Sequence, residues 1–186
     1  MILPRLVPNK RKIIESVLFI IELAGKNGAY PTQYDIVKSI FTADLFHLKK
    51  YGRPVTFDNY SALPFGPVPS ETYDMLKPGY NAADLDEATW PLWDRKYAPE
   101  IATTAFRYCD PKRSANQRKL SQTDRDELRS AYELVKQLGF IGTRDWTHDH
   151  PAYKTAWANR GSYRSSPMDY TQLVDQDDQE LGRVLN

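Results

Sequence analysis

Asp44 and His47 stand one helical turn apart, with Phe41 three residues before the aspartate and Leu48 four after it. That spacing lets a carboxylate touch and orient an imidazole, which is half of an acid/base device. The other half would be a nucleophile or a substrate-binding group, and the sequence singles out neither. The alternative is a structural pair, because a carboxylate on an apolar helix face needs hydrogen-bond partners in any fold; this is the reading adopted. Thr147-His148-Asp149-His150 holds the other two histidines. With His47 and the single cysteine, Cys109, they raise the question of a metal site. The spacing matches neither paired CxxC nor HExxH, and adjacent positions on a helix point to different faces. Thr147 and Asp149 read instead as caps for a short helix after Pro151. No glycine-rich phosphate loop, GxSxG elbow or carboxylate series at metal spacing occurs, so neither catalysis nor a cofactor is expected.

Lys10-Arg11-Lys12 and the group Lys112, Arg113, Arg118 and Lys119 are the densest basic clusters, and Phe106 and Tyr108 nearby could stack on bases. Across 186 residues, however, the formal charge is only +1. That gives no electrostatic case for nucleic acid or an anionic membrane. A solvated basic face is the expectation, offset by an acidic tail with Asp175, Asp177, Asp178 and Glu180. The apolar run at 13–23 is interrupted by Glu15 and Glu22 and is shorter than the roughly 20 residues a membrane span needs. No signal-peptide pattern opens the chain, and one cysteine cannot form an internal disulfide, so a cytoplasmic setting is expected. Hydrophobic residues at 41% with 4 Trp, 12 Tyr and 7 Phe point to a folded domain rather than a disordered chain.

The elements that must position these residues are mostly helical. Ile13, Val17, Ile20, Ile21 and Ala24 recur at helical spacing and predict a central, largely buried helix ending near Gly25 or Gly28. Thr32 with Asp35 predicts a capped second helix carrying Asp44 and His47, stopped at Gly52. Val55 to Ala62 alternates around Asp58-Asn59 and predicts a short extended or hairpin segment. Ser70 reads as the cap of a short helix through Leu76. Residues 79–97 show no sustained period, and residues 101–109 read as a strand that pairs with the earlier extended segment. Ser121 with Asp124 predicts a third long helix ending before Gly139, and residues 143–157 a helical pair divided at Pro151. Gly66 before Pro67, among closely spaced prolines, reads as rigid scaffold rather than linker. The fold class is α+β, mainly helical with a small antiparallel element.

The ordered series A-D-L-F-H-L-K-K-Y-G-R-P-V-T and N-Y-S-A-L-P-F-G-P-V-P-S-E-T-Y-D, then L-S-Q-T-D at 120–124 and T-H with P-A at 147–152, resembles the Panacea (SocA-like) antitoxin domain. Tyr153 stands where that family usually has tryptophan. The residues carrying the match are Asp44, His47, Tyr51, Gly52, Pro54, Tyr60, Gly66, Pro67, Ser121, Asp124, Thr147 and His148, all read as structural. The resemblance implies a domain over residues 1–160, encoded beside a toxin in bacteria or their phages and prophages, which neutralises that toxin by direct binding without catalysis. One branch of the family delivers its toxin to an AAA+ protease as an adaptor. Residues 161–186 would be a C-terminal extension, partly helical or ordered by a partner. Trp90, Trp93, Tyr163, Tyr170 and Leu173, outside the clear core pattern, are the candidate partner contacts. Two alternatives stay open: an RNA-directed enzyme using Asp44, His47 or His148, and a nucleic-acid-binding repressor using the 112–119 cluster.

Overall fold

Local capping chemistry sets the long helices in the computed structural model, which describes residues 5–173. Helix α1 (Lys10–Gly25) starts where Asn9 accepts from the Lys12 amide. Helix α2 (Gln33–Tyr51) opens on a reciprocal capping box between Thr32 and Asp35 and stops at Gly52, whose left-handed backbone lets its amide reach the Leu48 carbonyl. Hairpin strands β1 (Tyr60–Leu63) and β2 (Gly66–Pro69) follow, then α3 (Ser70–Met75), β3 (Asp94–Tyr97) and β4 (Phe106–Cys109). Helix α4 (Gln122–His148) starts on a second capping box, between Ser121 and Asp124. Helix α5 (Pro151–Ala158), the two-residue strand β5 (Ser166–Pro167) and a 3-10 turn (Tyr170–Leu173) complete the described chain. The architecture is α+β and mainly helical, with one three-stranded sheet in the order β2-β1-β5 and one two-stranded sheet, β3-β4, both antiparallel.

The central position belongs to α2 rather than to α1. Its residues are buried from Ile36 to Leu48, and it feeds two cores. Ile36, Val37 and Ile40 join the α1 face, Trp93, Tyr108 and Leu128 in the larger one. Phe41, Leu45 and Leu48 join Tyr60, Ala62, Tyr153, Met168 and Leu173 in the smaller one. Each such large apolar side chain is worth roughly 1.5–3 kcal/mol when fully buried. Tyr170 is packed against the smaller core, so the chain from β5 to Leu173 lies on the domain surface as part of it. The acidic residues 175–180 lie outside the described residues.

Four local expectations change. The hairpin lies in the proline-rich stretch, turning at Pro64-Phe65 with Leu63 opposite Gly66, whereas Asp58-Asn59 is a separate corner that follows Phe57 at φ 58°. Strand β4 pairs with β3 inside the 79–109 region; its link to the earlier chain is a single bridge between Arg107 and Thr32. Ser70 does not cap α3. Asp58 does so from across the chain, accepting from the Glu71 and Thr72 amides at 2.9 and 2.8 Å and from the Thr72 hydroxyl. Helix α4 continues beyond Gly139 to His148, with a break at that glycine (φ 66°, ψ −172°).

The scaffold reading of the proline-rich stretch has a geometric basis at Gly66. Strand β2 is buried along its whole length and lies against both α2 and α4. Gly66 has φ +100°, and a Cβ there would sit 2.6 Å from Lys38 Nζ and 2.7 Å from Thr147 Oγ1. Gly66→Ala should therefore destabilise the domain by about 2–4 kcal/mol through clash and a disfavoured torsion together. A urea-unfolding midpoint equal to that of the wild type would refute it.

Candidate interaction site

Asp44 is saturated by its own fold. One oxygen accepts from the Val55 and Thr56 amides, both at 2.8 Å, and the other from the Thr56 and Tyr60 hydroxyls, the latter at 2.7 Å. Burial pushes its carboxyl up to about 6 against these four donors. His47 does not meet it. Its Nδ1 lies 2.8 Å from the Arg53 carbonyl, while Nε2 lies 3.0 Å from Thr123 Oγ1 and 3.2 Å from Asp124. Burial holds the ring below the usual histidine range. In the neutral ring, Nδ1–H donates to the carbonyl and the Thr123 hydroxyl donates to Nε2.

Asp124 gathers the second network. Its carboxylate takes the Ser121 amide, Lys12 at 2.7 Å and Arg53 at 3.0 Å. Burial pushes this carboxyl up, but the Lys12 and Ser121 bonds, with the charges of Lys12 and Arg53, outweigh that and hold it below the usual range. The remaining motif positions sit around these networks. Tyr51 leans on the His47 ring at 4.5 Å, Gly52 ends α2, Pro54 accepts from Arg53 through its carbonyl at 3.1 Å, and the Pro67 carbonyl accepts from Lys38 at 2.8 Å.

The 147–150 segment is also committed internally. The Thr147 hydroxyl donates back to the Thr143 carbonyl at 2.8 Å, and His148 stacks on Tyr153 at 4.4 Å. The cap of α5 is His150, whose Nδ1 accepts from the Ala152 amide at 3.2 Å, rather than Thr147 or Asp149. Burial drops His150 to about 4. Among the described residues no group of three or more His, Cys, Asp or Glu side chains is arranged to hold a metal. The basic clusters face acids: Lys10 meets Asp84 at 2.6 Å, Lys112 meets Asp94 at 2.7 Å, and Arg113 bridges Glu15 and Glu87. The first and last of these, Lys10 with Asp84 and Arg113 with Glu15 and Glu87, line an open groove of about 910 Å³ at the start of α1.

The five candidate partner contacts divide. Trp93 and Leu173 are 1% exposed and give their surface to the two cores. Trp90 and Tyr170 are half-buried, and Trp90 packs on Trp93 and Tyr80. Only Tyr163, 77% exposed, stands clear.

A different surface stands out. Phe65, at the hairpin turn, is 59% exposed, and Phe140 and Ile141, just beyond the α4 break, are 48% and 64% exposed. The Phe65 and Phe140 rings form a line with that of Tyr34 in the first turn of α2. Phe140 lies 5.7 Å from Phe65 and 4.6 Å from Tyr34, whose hydroxyl donates to the Phe140 carbonyl. Behind this ridge is Lys38, fully buried on α2, its Nζ 5.5 Å from the Tyr34 ring and bonded to the Pro67 carbonyl. Sequence reasoning missed both. Their signals were a glycine on each side of Phe140-Ile141 and a lysine on the buried face of a helix.

Burial lowers Lys38 to about 7. The unfolded chain keeps an ordinary lysine near 10.5, so between these values it binds a proton that the folded chain does not. Stability from this group is therefore lost as pH falls toward 7 and regained as pH rises. Lys38→Met, which keeps the stem and removes the charge, should stabilise the protein by about 1–4 kcal/mol at pH 7. It should also flatten the rise in stability between pH 7 and 9.5, measured by urea unfolding across that range; an unchanged slope would refute the assignment.

Among the described residues no helix is long and apolar enough to cross a membrane. Comparison with known proteins found no match among curated proteins or among solved structures. A family model, Antitoxin SocA-like, Panacea domain, matches residues 36–154. That span runs from the buried stretch of α2 through Asp44, the Gly66 turn and the Asp124 network to the first turn of α5. The chain belongs to the SocA-like antitoxin family with a Panacea domain.

Proposed function

We propose that this chain is a non-enzymatic antitoxin that neutralises a cognate protein toxin, encoded by an adjacent bacterial or phage gene, through direct binding. Membership of the antitoxin family over residues 36–154 carries the reading. The chemistry of the motif residues supports it. Asp44 and His47 are hydrogen-bonded to separate partners within the fold and His148 is stacked on Tyr153, so none stands beside another as base, orienter and nucleophile would. The basic cluster is likewise partly spent on Asp94, Glu15 and Glu87, which leaves a weak electrostatic footprint for nucleic acid. Inhibition requires a complex that persists at cellular concentrations in the cytoplasm. Delivery of the bound toxin to an AAA+ protease would be an added step, read out as ATP-dependent loss of the toxin when this chain is present.

Expression of the adjacent reading frame should arrest growth, and co-expression of this chain should restore it with the two proteins co-purifying. Absence of both rescue and co-purification would end the antitoxin reading. His47→Gln, if its thermal midpoint stays near wild type, should rescue as well as the wild type does. Selective loss of rescue in that folded variant would favour the enzyme instead.

A further inference from the structure

Residues 166–173 hold to the domain along a groove between β1 and α5. One edge of β1 pairs with β5, placing Ser61 opposite Pro167 and Ala62 opposite Ser166, and the Met168 amide donates to the Tyr60 carbonyl at 2.9 Å. Met168 and Leu173 are both buried and fill the floor against Phe41, Leu45, Tyr60 and Tyr153. Apart from Ala156, the buried residues that line this groove fall within 36–154, the span of the family match, whereas the segment filling it falls beyond that span. The groove belongs to the domain and its occupant to the extension.

The connection between the two is loosely held. Every residue from 161 to 165 is exposed, and among the described residues the hydrogen bond made there runs from the Tyr163 amide to the adjoining Arg160 carbonyl. Gly161 turns the chain at φ +61°, with nothing within 4 Å of where a Cβ would stand. Such a connection keeps the segment in its groove by proximity rather than by contacts of its own. Every copy of the chain carries the same segment, so a second copy offers the groove a strand with the right pairing residues, an apolar side chain just past them and another further along. Reciprocal exchange would keep β5 on β1 and keep Met168 and Leu173 in place, changing only the path of residues 161–165.

We propose that the groove between β1 and α5 is a pairing site between two copies of this chain, which exchange residues 166–173 through the exposed connection at 161–165. The inference does not depend on the antitoxin reading. Ser61 and Pro167 form the pair next to the Tyr60–Met168 hydrogen bond, where antiparallel strands bring their Cα atoms closest and two cysteines can bridge. Full-length Ser61→Cys chains and full-length Pro167→Cys chains are mixed at about 1 mM, the effective concentration of a short flexible connection, then oxidised and separated without reductant. A disulfide between them reports the segment of one chain lying in the groove of the other.

The mixed pair should exceed the covalent dimer of either variant alone by at least about 10-fold. Adding Met168→Asp to the Pro167→Cys chain should remove it while helix content is retained, because the segment then no longer seats. The double variant Ser61→Cys/Pro167→Cys, oxidised at about 1 µM, where closure within one chain dominates, should form its bridge as a monomer. If that bridge closes but the mixture shows no excess of mixed pair, residues 166–173 stay in their own chain and the proposal is overturned. A mixed pair that survives Met168→Asp places the contact elsewhere and also overturns it. Failure of the double variant to bridge removes the β1–β5 register on which the exchange rests, with the same result.

Discussion

The fold hangs on the carboxylate of Asp44. Burying such a group costs several kcal/mol unless donors surround it, and all four of its donors come from residues 55–60. The chain after α2 is thereby tied back onto the helix it has just left. Tyr60 is both one of the donors and the first residue of β1, so the same contact fixes where the hairpin begins. Asp58, between the tied residues, is placed to cap α3. With β1 located, β2 and β5 have an edge each to pair on, and β2 is pressed between α2 and α4.

That pressing explains why the hairpin turn is intolerant of side chains. Gly66 leaves room for the Lys38 amine and the Thr147 hydroxyl to come together over the strand. Among the described residues the lysine reaches a carbonyl but no carboxylate, and burial lowers its proton affinity accordingly. Desolvation, with one neutral acceptor to offset it, outweighs the intrinsic basicity of the amine. The fold thus carries an amine whose charge is unusually dependent on its neighbours.

Features decided within a few residues were legible in the sequence. The two capping boxes, the Gly52 stop and the apolar period of α1 follow from local torsions and spacing, and all are present. Features decided between distant residues were not. Nothing local to Asp58 says that it caps a helix thirteen positions later, and β4 has no local mark choosing β3 over the earlier extended segment. His47 turned from Asp44 to Thr123, 76 positions away, because the first turn of α4 supplies a hydroxyl donor that periodicity on α2 cannot reveal. The ridge escaped for a related reason. Gly139 read as a helix end, so Phe140 and Ile141 appeared to lie outside any element, and Phe65 looked like one more residue of a rigid turn.

The break at Gly139 divides the molecule by tolerance as well as by shape. Side chains at 65, 140 and 141 leave the packed interior, so exchanging them changes little of what holds the domain together. One turn inward, Gly66, Lys38 and Thr147 leave no such freedom. Exchange at the exposed positions therefore costs the fold less than exchange at the packed ones beneath them.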